Sequence, residues 1–143
     1  MKTLICCLAL VTLAGLTPGA FAREPTLASV EAKFDTTTND KKQDAELDVY
    51  IKNVDGQDVG KSEGNEGLWG KHSTHIVTLE IEGNPTKTGV AHGSIVLTFH
   101  PHGGDTWKFN YKVTLKFSDD SSITKEVFGG VLTQYNTART DPL

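Results

Sequence analysis

From Trp107 to Phe117 the large residues occupy every second position, with Lys108, Asn110, Lys112, Thr114 and Lys116 between them. An extended chain points successive side chains to opposite faces, whereas a helix would scatter the same residues around its circumference. The alternation therefore requires a half-buried β-strand over Thr106–Ser118. Trp107, Phe109, Tyr111, Val113, Leu115 and Phe117 face inward, and a lysine-rich face meets water. Asp119-Asp120-Ser121-Ser122 is turn chemistry, so Ile123–Phe128 is expected to return as the second arm of a hairpin that ends at Gly129-Gly130.

The same period of two recurs along the chain. It predicts strands over Leu27–Phe34, Ala45–Lys52, His75–Glu82 and Ser94–His100, a short edge strand near Val59 and a last short strand in Val131–Tyr135. Their inward residues are Val30, Phe34, Leu47, Val49, Ile51, Val77, Leu79, Ile81, Ile95, Leu97 and Phe99. Gln57–Gly70 is polar and glycine-rich, a long loop, and Asn84-Pro85 opens a connection that reaches about Gly89. Helical periodicity is missing after the N-terminal region. The expected fold is all-β, a single antiparallel β-sandwich of seven to eight strands over residues 23–143.

The N-terminal region reads as a signal peptide over residues 1–22. Lys2 supplies positive charge, Leu4–Leu16 is an apolar run too short to span a bilayer, and Ala20-Phe21-Ala22 is a small-x-small cleavage signature. Cleavage after Ala22 would release a chain beginning at Arg23, secreted or periplasmic, with no transmembrane segment of its own. Cys6 and Cys7 both lie in the signal, so the mature chain has no thiol and must cohere by packing, or by packing plus a metal. A net charge of −4 without a basic cluster excludes a nucleic-acid partner.

Oxygen-bearing side chains crowd one loop: Asp35, Asn39, Asp40 and Asp44, with Asp48 one strand position further on. Calcium takes six to eight oxygens from flexible loops, so this spacing suits a calcium site, although it does not match an EF-hand. Polar loops also favour Asp and Asn for turn geometry alone. The loop Pro101–Asp105 and the turn Asp119–Ser122 are joined by one strand and must lie at opposite ends of the sandwich. Only one of them can adjoin the acidic loop.

Phe34–Lys52, an acidic loop leading into Asp48-Val-Tyr-Ile51, resembles the early strands of PLAT (lipoxygenase-homology) domains. His100-Pro-His-Gly-Gly-Asp-Thr-Trp107-Lys-Phe109 is similar to a later loop and strand of that family. The family's Gly-x-Gly-Thr-Asp-Ala run is here Lys41-Lys-Gln-Asp-Ala45. The resemblance implies an eight-stranded sandwich that binds lipid surfaces or protein partners, often with calcium. It implies further that Asp35, Asp40, Asp44 and Asp105 sit at one end, with Trp107 near them as a ligand contact.

The histidines form a competing set. His72, His75, His92, His100 and His102 all fall in the middle of the chain, and His100-Pro-His102 has the spacing that puts two imidazoles on one side of an extended segment, as a zinc or copper site needs. Gly60-Lys61-Ser62-Glu63-Gly64 matches the nucleophile-elbow pattern, but that elbow needs a strand before it and a helix after it. Glu63 and Glu66 lie in what reads as exposed loop, a poor setting for acid–base catalysis. The residues thus point to a secreted, non-catalytic binding module, calcium-assisted, for a lipid surface, a glycan or a protein. The alternatives are a histidine-based zinc or copper protein and, third, a small hydrolase.

Overall fold

The computed structural model describes residues 22–143, so the signal segment expected over 1–22 lies, but for Ala22, outside the described residues. Eight strands follow in order: β1 (Leu27–Thr36), β2 (Glu46–Lys52), β3 (Asp58–Ser62), β4 (Thr74–Ile81), β5 (Ser94–His100), β6 (Thr106–Phe117), β7 (Ser122–Thr133) and β8 (Ala138–Pro142). One short helix, α1 (Lys87–Ala91), lies between β4 and β5. The strands pair antiparallel in the order β7-β6-β1-β4-β3-β2-β5-β8. β3 and β4 share only two registered pairs, Gly60↔Ile81 and Lys61↔Glu80. At that weak link the ladder folds over, and β7-β6-β1-β4 packs on β3-β2-β5-β8.

The alternation on β6 is realised in full, with Trp107, Phe109, Tyr111, Val113, Leu115 and Phe117 all buried. Leu47, Val49 and Ile51 on β2 meet them from the other layer, with Ile95, Leu97 and Phe99 on β5. Ile81 is only partly buried at the margin of the core. One end is closed by aromatic rings: Phe34 lies 5.5 Å from Trp69 and 5.7 Å from Trp107, and Trp107 stacks on Phe109 at 3.9 Å. Helix α1 covers the other end with Val90, fully buried, beside the turn that carries Ser121.

Several local expectations give way to tertiary context. β3 is no edge strand, because it pairs with both β2 and β4. Helix α1 is too short to show periodicity, and Thr86 caps it by accepting from the Gly89 N–H at 3.3 Å. The hairpin does not end at Gly129-Gly130 but continues to Thr133 through a β-bulge. Phe128 and Gly129 together oppose Asn110, between the pairs Phe109↔Gly130 and Tyr111↔Val127. Gly129 takes φ +68° and donates its N–H to Asn110 Oδ1 at 2.9 Å. The extra residue shifts the parity of the strand, so that Leu132 turns into the core and Val131 turns out.

β8 has no apolar alternation, and its place depends on pairing with β5 and on one polar cluster. From the opposite layer, the Tyr111 hydroxyl donates to Asp141 Oδ2 at 2.6 Å, and Arg139 donates to both Asp141 oxygens at 2.5 and 2.9 Å. Burial pushes the Asp141 carboxyl up, but the hydrogen bonds from Arg139 and Tyr111 outweigh it and hold the group below the usual carboxylate range. A carboxylate depressed in the fold adds stability above its unfolded value of about 3.9, and that stability is lost as pH falls below it. Tyr111→Phe is expected to cost roughly 1.5–2 kcal/mol at neutral pH, since the bond is to a charged group. The loss should shrink in strong acid, once the carboxyl has taken up its proton. Urea melts at both pH values measure this, and equal losses at the two would show that the hydroxyl does not act through the carboxylate.

Candidate functional site

Four connections converge at the aromatic end: residues 37–45, 63–73, 101–105 and 134–137. Backbone bonds tie them together. Lys108 N donates to Asn39 O at 3.2 Å, Gly67 N to Gln43 O at 3.1 Å and Gln134 N to Asp105 O at 3.2 Å. The Lys42 N–H donates to Asp105 Oδ2 at 3.3 Å, so the 101–105 loop is the one that adjoins the acidic loop. Between them opens a cleft of about 350 Å³ bounded by Asn39, Asp40, Asp105 and Thr106, with Lys42 and Lys71 also in its wall. Asp105 is buried. Asp40 Oδ1 is shut off from solvent and has no hydrogen-bond partner.

Behind this cleft lies Lys41, which is fully buried. Its backbone exchanges two hydrogen bonds with Trp69, at 3.1 and 3.0 Å. Its ammonium donates to the carbonyls of Ala45 at 2.5 Å and Gly67 at 2.8 Å and stands 5.0 Å from the Trp69 ring centre. Burial pushes this ammonium down to about 8, while Asp105 and more distant carboxylates pull it back up. Lys41 is an internal cation that ties the acidic loop to the 63–73 loop. A lysine in a run of loop residues carries no periodic signal, so nothing in the sequence marks it as buried.

The remaining acidic residues disperse. Asp35 lies on the outer face of β1, accepting from Thr74 Oγ1 at 2.5 Å with Lys33 at 3.5 Å. Asp44 is exposed in a turn. Asp48 sits on β2 in the other layer, where Oδ2 meets His100 Nε2 at 2.8 Å and Oδ1 accepts from Gly64 N at 2.8 Å. Asn39, Asp40 and Asp105 are the members of the expected set that share the cleft. Trp107, expected at a ligand, is instead fully buried in the core, and its Nε1–H donates to Thr36 Oγ1 at 3.1 Å. Its place on the inward parity of β6 is the reason.

The histidines stay apart as well. His75 stacks on Trp69 with ring centres 4.7 Å apart, and burial and the Lys41 charge push its pKa below the ordinary value. His92 follows α1 as its C-cap, at the opposite end from the cleft, while His72 and His102 are exposed. Among the described residues, no three His, Cys, Asp or Glu side chains come together as a metal-binding group. Ser62 ends β3 and donates to Asn65 Oδ1 at 3.1 Å. No family model matches the chain, and no curated protein is significantly similar to it.

The lining of the cleft thus brings together two carboxylates and one amide, from Asp40, Asp105 and Asn39. Among the described residues no helix is long and apolar enough to cross a membrane.

Proposed function

We propose that this chain is an exported, non-catalytic binding module that meets its partner with the loop end of the sandwich, assisted by calcium held between Asp40 and Asp105. The observation that carries this reading is Asp40 Oδ1, desolvated and unpartnered on a residue that lines the same cleft as buried Asp105. Leaving a buried acceptor unsatisfied costs about 1–3 kcal/mol or more for a charged group, and a cation bound there would recover it. Lys42 and Lys71 in the same wall offset the acidic charge. Affinity should therefore fall in the weak class typical of extracellular modules, about 10⁻⁴–10⁻³ M.

Leu68 and Tyr135 stand exposed on two of the loops around this cleft, at 57% and 91%. Apolar tips beside lysines suit an anionic lipid surface or a protein patch of the same character. An eight-stranded antiparallel sandwich is compatible with the PLAT-like reading of the sequence.

A thermal melt with calcium tests the site. A tenfold excess over Kd stabilises by about 1.4 kcal/mol, a shift of roughly 4 °C for a domain of this size. Chelator should reverse it, and magnesium should do less because it holds its waters and demands octahedral geometry. Asp40→Asn or Asp105→Asn should remove the response, whereas Asp44→Asn, outside the cleft, should leave it. No shift in the wild type would overturn the calcium assignment. A shift with zinc where calcium gives none would overturn it equally.

A further inference from the structure

The outer face of the β7-β6-β1-β4 layer carries a second concavity, of about 230 Å³, away from the loop cleft. The register pairs Lys33 with Lys112 and Lys112 with Glu126, and in the next row Asp35 with Asn110. Phe128 closes that second row from β7 and is 74% exposed. Within the groove Lys33 pairs with Asp35 at 3.5 Å and Lys112 with Glu126 at 3.1 Å. Two ammoniums and two carboxylates leave it neutral, with donors and acceptors alternating over a few ångströms. The bulge draws on the Asn110 oxygen and leaves its amide nitrogen to donate.

We propose that this groove binds a neutral, hydroxyl-rich ligand, a glycan with one sugar ring seated against Phe128. The inference rests on the binding-module reading but not on its calcium. Each sugar hydroxyl both donates and accepts, so it matches the ammonium–carboxylate pairs without disturbing their balance. A charged ligand would meet a like charge in every pair. The apolar C–H face of a pyranose fits an exposed aromatic ring, which offers contact area at little entropic cost. Strand addition along β7 fits less well, because the bulge at Gly129 interrupts the edge and Lys125 and Glu126 charge it.

An array of immobilised neutral oligosaccharides of glucose, galactose, mannose and N-acetylglucosamine, alongside sulfated and sialylated ones, tests this with the mature chain. The wild type should retain at least one neutral class. Phe128→Ala should weaken that binding by about tenfold or more while melting as the wild type does, since the side chain is exposed. Glu126→Gln should also weaken it. Chelator and Asp40→Asn should leave it unchanged. Retention of no glycan, retention of anionic glycans only, or undiminished binding by Phe128→Ala would each overturn the proposal. If Asp40→Asn abolished glycan binding and Phe128→Ala did not, the ligand would lie at the loop end. That outcome would sink this inference and leave the calcium reading standing.

Discussion

Lys41→Ala is expected to destabilise the protein by about 3 kcal/mol or more and to lower its melting temperature by roughly 10 °C. The loss has two parts. Removing the aliphatic stem of this fully buried side chain opens a cavity behind the acidic loop. Removing the ammonium strands the carbonyls of Ala45 and Gly67, which have lost their donor. Working against these, the substitution relieves the burial of a charge that the fold already disfavours, as its lowered pKa of about 8 records. Lys41→Met separates the parts, because it keeps most of the stem and loses the charge and both bonds. It should fall between wild type and Lys41→Ala. A Lys41→Ala melt within about 2 °C of wild type would show that the two loops hold together without this internal cation.

Phe109→Ala should cost about 3–5 kcal/mol, a large fraction of a domain stability typically about 5–15 kcal/mol. The ring stacks on Trp107 at 3.9 Å and lies 6.0 Å from Phe34, so its loss opens the centre of the aromatic cluster. Gly130 makes the prediction sharper. A Cβ on that residue would stand 2.8 Å from the Phe109 ring, so Gly130→Ala alone should cost about 1–3 kcal/mol by overpacking. In the Phe109→Ala background the clash partner is gone, and the same substitution should cost little. Additive losses in the double mutant would show that ring and glycine do not meet across the β6–β7 ladder.

The two results bear on different levels of the chain. Phe109 was legible from its neighbours in sequence, since strict alternation over β6 assigns every side chain to a face before any partner is known. The same alternation puts Leu47, Val49, Ile51, Ile95, Leu97 and Phe99 inside, and a strand joining the 101–105 loop to the 119–122 turn must set the two at opposite ends. Fold class and most of the core follow from this periodicity, because it is a local property of an extended chain.

The candidate sites needed the tertiary structure. Parity says nothing about loops, so Lys41 inside and Asp44 outside look alike in sequence, and Trp69 reads as part of a polar stretch. Asp35 and Asp48 flank the acidic loop in sequence yet end on the outer faces of different layers, because the chain crosses from one sheet to the other between them. Asp40 and Asp105 meet because two distant connections share an end. The outward turn of Val131 beyond Phe128 depends on one extra residue at Gly129, which reverses the parity that sequence reasoning extrapolates. β8, without an apolar pattern, is placed by β5 and by the Tyr111–Asp141 bond from the facing layer. Local alternation decides which way a strand faces, whereas only the packing of the two layers decides which loops and outer faces become neighbours.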